Sequence, residues 1–83
     1  MDISKQIEKF IIEELITSSE ITSIDSSENL LSKRIIDSMG VVRVATFLEE
    51  KFGIQVNDHE MIPQNFKDIS SMANYVKSKG ENR

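Results

Sequence analysis

The stretch "DSMGVVRVATFLEEKFG", residues 37–53, carries the clearest helical pattern in the chain. When its residues are drawn at about 100° per residue, the apolar side chains fall within one narrow arc. That arc contains Val41, Val44, Ala45, Leu48 and Phe52. Gly53 stands where a left-handed C-terminal cap is expected. The pattern predicts a helix over residues 38–52 whose apolar face lies in the core.

A first amphipathic helix is predicted over residues 3–16. Its apolar positions recur at helical spacing and are Ile3, Ile7, Phe10, Ile11 and Leu15. Either Asp2 or Ser4 is suited to cap it. Glu14 falls inside the apolar arc, whereas Ile12 and Ile16 fall outside it, which indicates a broad buried face.

Residues 17–37 show no sustained periodicity and are predicted to form a long loop. A loop of this length inside a compact domain is usually functional or contains a short element that the pattern does not reveal. Its apolar residues are expected to pin it to the core. They are Ile21, Ile24, Leu30, Leu31 and Ile35.

The remaining chain predicts a short helix over 58–62 that ends at Pro63, and a last helix over 68–78 with Asp68 as its cap. The inner face of the last helix consists of Ile69, Met72, Ala73 and Val76. Residues 79–83 are expected to be a frayed tail. The predicted fold is all-α: a single domain over 1–83, built as a small three-to-four-helix bundle with a long loop between the first and second helices.

Composition excludes several classes of function. The chain of 83 residues has no cysteine, so it offers no disulfide, no thiolate nucleophile and no cysteine zinc site. His59 is the one histidine, so histidine-based metal sites and conventional catalytic triads are not expected. The net charge of −4 argues against nonspecific nucleic-acid binding, which relies on a basic surface. Charges interrupt the apolar residues near the N-terminus, so neither a signal peptide nor a membrane span is expected. The sequence predicts a cytoplasmic protein.

Asp37 and Ser38 stand side by side at the start of the best helix. Both residue types are preferred N-caps, and the residues alone favour this simple interpretation. The same place, however, is the positive end of a helix, where an anion attached to the Ser38 hydroxyl would be stabilised. Gly40, which has no side chain, is expected to leave space beside that hydroxyl.

A stripe on the outer face of the same helix indicates a docking surface. It consists of Met39, Arg43, Thr46 and Glu50, which face away from the predicted core. An exposed methionine adapts to varied apolar partners. Together with a serine at the top of the helix, the stripe is interpreted as a surface that docks partners around a modified hydroxyl.

The segment "IIDSMGVVRVATFLEEKFGIQV", residues 35–56, resembles the prosthetic-group site and second helix of the carrier proteins: acyl, peptidyl and D-alanyl carrier proteins. Their Asp-Ser-Leu/Met motif corresponds to Asp37, Ser38 and Met39, and the order of predicted helices matches over essentially the whole chain. The resemblance implies that Ser38 carries a 4′-phosphopantetheine arm derived from coenzyme A, with cargo held as a thioester. It also implies that Asp37 helps a phosphopantetheinyl transferase to engage the site.

The same resemblance implies a non-catalytic, monomeric protein. Its partners would be the transferase, an adenylating or acyl-transferring loading enzyme, and downstream acyl-processing enzymes. The chain departs from the fatty-acid-synthesis carriers of bacteria, whose second helix is strongly acidic, because Gly40 and Arg43 stand where acids are common. An arginine there would repel a basic docking patch. The departure favours a specialised or D-alanyl-type pathway over housekeeping fatty-acid synthesis.

Two alternatives belong to other functional classes. One is a carrier-fold adaptor without a prosthetic group, against which the intact Ser38 argues. The other is a serine hydrolase that uses His59 as its base, although nothing in the sequence shows that His59 reaches Ser38.

Overall fold

The computed structural model describes residues 2–16 and 21–81, which form helices joined by turns and contain no strand. The elements are α1 (Ile3–Phe10), continued by a π-helical turn (Ile11–Leu15), α2 (Ser38–Phe52), a 3₁₀ turn (Asp58–Glu60), α3 (Pro63–Phe66) and α4 (Ile69–Glu81). The all-α bundle predicted from the sequence is confirmed.

The π-helical turn explains the irregular apolar pattern of the first helix. The Ile16 N–H donates to the Ile11 carbonyl at 3.0 Å, so this turn is wider than an α-helical one. A wider turn advances less around the axis per residue. Glu14 is therefore exposed, while Leu15 and Ile16 both pack against the core. At the other end of the helix, Asp2 is the cap, and its carboxylate accepts the Ser4 N–H.

The core draws on all four helices and on the long loop. Its fully buried large side chains are Ile7, Ile11, Leu30, Val44, Leu48, Phe66, Ile69 and Met72. Burial of each such side chain contributes about 1.5–3 kcal/mol of gross stabilisation. Phe10 stacks on Phe47 with ring centroids 4.3 Å apart, which adds an aromatic contact between α1 and α2.

The loop that precedes α2 is held to the bundle by its backbone as well as by its apolar side chains. Two backbone N–H groups of the loop donate hydrogen bonds to the bundle: Ile24 to the Glu8 carboxylate (2.7 Å) and Leu30 to the Lys67 carbonyl (2.6 Å). The Ser26 carbonyl of the loop accepts a third hydrogen bond, from the Ser70 N–H (2.9 Å). Of the predicted anchors, Ile24 and Leu30 are buried, and Ile21, Leu31 and Ile35 are half-buried. Ile36, which was not predicted as an anchor, is buried as well. Residues 17–20 of the predicted loop lie outside the described residues.

Before α2 the loop forms a helical turn that is closed by a Schellman motif. The Ile35 N–H donates to the Leu30 carbonyl at 2.9 Å, and the Arg34 N–H donates to the Leu31 carbonyl at 3.1 Å. Arg34 has φ of 57°, the left-handed conformation that this position of the motif requires. Glycine adopts it freely, whereas a residue with a Cβ loses about 1–2 kcal/mol there.

The prediction of a helix over 58–62 was wrong in its extent. A 3₁₀ turn covers Asp58–Glu60, and Pro63 begins α3 instead of ending a helix. Proline lacks the N–H that is unpaired at the first helical position in any case, and its φ suits a helix start. The sequence analysis therefore missed α3.

The last helix starts and ends later than predicted. It runs over Ile69–Glu81, and Asp68 caps it by accepting the Ser71 N–H at 2.7 Å. The predicted tail was wrong for residues 79–81, which are helical, while 82–83 lie outside the described residues. The last turn is held because the Lys79 Nζ lies 2.9 Å from the Glu60 carboxylate and 5.9 Å from the centre of the Tyr75 ring.

Glu60 is the polar link between the 3₁₀ turn and α4. One oxygen of its carboxylate accepts hydrogen bonds from the Lys79 Nζ (2.9 Å), the Tyr75 hydroxyl (3.0 Å) and the Asn57 backbone N–H (3.1 Å). The bonds from Lys79 and Asn57 lower the pKa of Glu60 to about 2. Burial, with the nearby negative charge of Glu60, raises the pKa of Tyr75 above its ordinary value.

Substitution of Glu60 by glutamine tests this link. Glu60→Gln is expected to lower the free energy of unfolding at neutral pH by about 1 kcal/mol, because the amide loses the charge-assisted bonds at a partly exposed site. Since folding lowers the pKa of Glu60 from 4.5 to about 2, its stabilisation is complete above about pH 4.5 and is lost as the pH falls towards 2. Urea unfolding of both proteins at several pH values measures the difference.

Glu50→Gln, at an exposed position on α2, is the matched control and should change the free energy of unfolding little. A difference between wild type and Glu60→Gln that stays constant from neutral pH to about pH 3 would contradict the charge-dependent link.

Candidate functional site

The first turn of α2 is positioned by Asp37. The Asp37 carboxylate accepts the Gly40 N–H at 2.9 Å, and its carbonyl accepts the Val41 N–H at 3.0 Å, so Asp37 is the N-cap. Ser38 is consequently the first helical residue and not a cap. Asp37 therefore caps the helix, and the Ser38 hydroxyl takes no part in capping.

Gly40 was predicted to leave space beside the Ser38 hydroxyl, and this prediction was wrong. The glycine instead allows close packing. Gly40 is buried, and a Cβ atom added to it would lie 3.0 Å from the Cβ of Ile36. A contact this short would force Ile36 or the start of the helix to move. The glycine thus lets the end of the loop pack directly against the first turn of α2.

Ser38 is exposed at the positive end of α2. In the part of the chain that the structure describes, its hydroxyl has no hydrogen-bond partner, and the backbone N–H groups of Ser38 and Met39 have no acceptor. Backbone donors at a helix start, together with the helix dipole, favour a negative group at this place. The Ser38 oxygen is therefore accessible to a modifying enzyme, and its surroundings suit a phosphate ester.

The geometry gives no support to hydrolase chemistry. His59 is exposed on the 3₁₀ turn, and among the described residues it makes no hydrogen bond with Ser38. An activated serine needs a base within hydrogen-bond reach.

An open, mainly apolar cleft lies beside Ser38 and was missed by the sequence analysis. Its volume is about 410 Å³. Its apolar lining comes from the loop, from α2 and from the segment around α3: Leu31, Val41, Val42, Met61, Ile62, Pro63 and Phe66. Val42 and Ile62 are 44% and 40% exposed. Only a weak indication of this cleft is present in the sequence: Val42 lies beside the buried arc of α2, and Ile62 precedes a proline.

The outer stripe of α2 lies where the helical pattern placed it. Met39 is 66% exposed, and Arg43, Thr46 and Glu50 are also exposed. The Thr46 hydroxyl donates to the Val42 carbonyl at 3.1 Å, so it is already used within the helix. These positions show that the four side chains are accessible, and their role in docking stays a prediction.

Within the described ranges 2–16 and 21–81, no helix combines the length and apolar character needed to cross a membrane.

Comparison with known proteins supports the resemblance seen in the sequence. No protein-family model matches the chain. An acyl carrier protein of Campylobacter hominis is 26% identical to it over 83 residues, which is the full length of both chains. The similarity to this acyl carrier protein thus extends over the whole chain and is not confined to the segment around Ser38.

Two substitutions at Asp37 separate its capping function from any function of its charge. Asp37→Ala is expected to lower the free energy of unfolding by about 1 kcal/mol, because the Gly40 N–H loses its acceptor. Asp37→Asn should cost less than half as much, since asparagine caps helices nearly as well as aspartate. Chemical denaturation of the three proteins measures both changes. Equal losses in the two variants would mean that the carboxylate charge, and not the hydrogen bond, stabilises the start of α2.

Proposed function

We propose that the protein is a free-standing carrier that holds an acyl or aminoacyl group as a thioester on a 4′-phosphopantetheine arm attached to Ser38, and that it delivers this group between the enzymes of a biosynthetic pathway. The observation that carries the proposal is the exposed Ser38 hydroxyl at the first position of α2, beside an Asp37 cap that leaves it free. The full-length similarity to an acyl carrier protein supports it.

The residues at the start of α2 fit the phosphodiester of such an arm. The backbone N–H groups of Ser38 and Met39 are available to it, and the positive end of the helix favours one negative charge by about 0.3–1 kcal/mol. When bound, the arm supplies a terminal thiol to hold the cargo, which a chain without cysteine otherwise lacks. The apolar cleft beside Ser38 offers a surface that shields apolar atoms near the attachment point.

Asp37 has a second task within this proposal. One carboxylate oxygen is bonded to the Gly40 N–H, while the side chain as a whole is exposed. The carboxylate can therefore also engage the phosphopantetheinyl transferase that modifies the neighbouring hydroxyl. The Asp37→Asn variant therefore also tests recognition by the transferase. It should slow modification of Ser38 while largely preserving the fold.

The outer face of α2 supports a specialised or D-alanyl-type pathway over housekeeping fatty-acid synthesis. Arg43 is exposed in the middle of the stripe, where it would oppose a basic docking patch. In this proposal the chain is a non-catalytic, cytoplasmic monomer. An adenylating or acyl-transferring enzyme loads it, and acyl-processing enzymes then act on the cargo.

Modification by a broad-specificity phosphopantetheinyl transferase tests the proposal directly. Coexpression should increase the intact mass of the wild-type protein by one phosphopantetheinyl group, because Ser38 is the accessible nucleophile at the recognised helix start. Ser38→Ala should show no increase while unfolding at nearly the same denaturant concentration as wild type, since an exposed hydroxyl contributes little to stability.

Ser26→Ala and Ser70→Ala are matched controls at other exposed serines and should be modified as fully as wild type. An unmodified wild-type protein would favour the adaptor alternative, and a mass increase that persists in Ser38→Ala would place the arm elsewhere.

A further inference from the structure

A second cleft opens along the start of α2, and we name it the arginine cleft. Its volume is about 330 Å³. The side chains of Leu15, Ile35 and Met39 contribute apolar surface to it, and Arg34 and Arg43 are the two cations that line it. Because Asp37 and Met39 line it as well, the arginine cleft adjoins the residue that the proposed function modifies.

The arginine cleft is positively charged in an acidic protein. Arg34 and Arg43 are both exposed, and neither forms an ion pair with a carboxylate of the described residues. The third ionic side chain of the lining is Asp37, which is already bonded to the Gly40 N–H. Two positive charges against one negative charge leave a local excess of +1, although the whole chain carries −4.

The backbone at Arg34 gives a second, independent indication. Arg34 occupies the left-handed position of the Schellman motif with φ of 57°, where glycine would be unstrained. Strained residues that persist are concentrated at binding and catalytic sites. The strain is therefore consistent with a guanidinium that is needed at the rim of the arginine cleft.

We propose that the arginine cleft is a docking site for a partner enzyme with an acidic surface, in which carboxylates pair with Arg34 and Arg43 and an apolar side chain contacts Met39. Guanidinium groups bind carboxylates through paired hydrogen bonds, and methionine adapts to different apolar surfaces. Charge complementarity identifies the occupant, because a basic surface would be repelled. The inference rests on the proposed carrier function and specifies the chemistry of its partners.

A charge-swap experiment tests the docking site. The probe is an acyltransferase of bacterial fatty-acid synthesis with a basic docking surface, compared with a variant whose docking lysines and arginines are replaced by glutamate. The wild-type carrier, with the arm attached, should give a kcat/KM about 10-fold higher with the charge-reversed enzyme at low salt. The Arg34→Glu/Arg43→Glu carrier should show the opposite preference. Both preferences should shrink at about 0.5 M salt.

Lys5→Glu/Lys77→Glu is the matched control, because it makes the same change of charge at two exposed positions, one on α1 and one on α4, and should keep the wild-type preference. The inference is overturned if the double variant keeps that preference too. It is also overturned if the double variant loses rate equally with both enzymes, since the arginines would then act on the arm's phosphate or on the fold.

Intact mass, measured before the kinetics, separates the two proposals. A carrier that acquires the arm but shows no charge preference overturns the docking site alone, whereas a carrier that never acquires the arm overturns both.

Arg34→Gly gives a sharper result, because it should raise the stability of the protein and lower the efficiency of docking. Glycine relieves about 1–2 kcal/mol of left-handed strain, and its greater backbone freedom in the unfolded chain offsets about 0.5–1 kcal/mol of this. The midpoint of thermal unfolding should therefore rise by about 4 °C. Loss of the guanidinium should lower kcat/KM with the charge-reversed enzyme by about 5-fold. A variant that is more stable and docks as well as wild type would overturn the role of Arg34.

Discussion

The hydrogen bond from the Gly40 N–H to the Asp37 carboxylate is the interaction on which the site depends. It starts α2 at a defined residue, and it thereby places Ser38 at the first helical position with its hydroxyl in solvent. The close packing of Gly40 against Ile36 also stabilises the start of α2, on its buried side. Capping and packing together determine which residue of the motif occupies the first helical position.

The polar network around Glu60 supports the site from a distance. Its carboxylate joins the 3₁₀ turn to Tyr75 and Lys79 of α4, and the segment that follows the turn supplies Met61 and Ile62 to the apolar cleft. The start of α2 is thus bordered by two surfaces of different character: the apolar cleft beside Ser38 and the arginine cleft. A partner that approaches Ser38 meets one or both of these surfaces.

Local patterns were sufficient for α2. Its buried face, its glycine cap at Gly53 and the assignment of Asp37 and Ser38 to its start could all be predicted, because each depends on residues within one or two turns. The π-helical turn could not be predicted, since it follows from packing that draws Ile16 towards the core. The prediction that Pro63 ends a helix failed for a related reason. Proline occurs both just after a helix and at the first position of one, and the residue alone does not indicate which of the two applies.

The sequence by itself determined the class of fold, the motif around Ser38 and the resemblance to carrier proteins, because helix periodicity, capping residues and charge are properties of neighbouring residues. The tertiary structure alone decided that Gly40 packs against Ile36, that Lys79 extends α4 by reaching Glu60, and that Arg34 and Arg43 line one cleft. Glu60 and Lys79 are 19 residues apart in the chain. The other two pairs are closer in sequence, but each joins the end of the loop to α2, and helix periodicity does not determine contacts across that boundary.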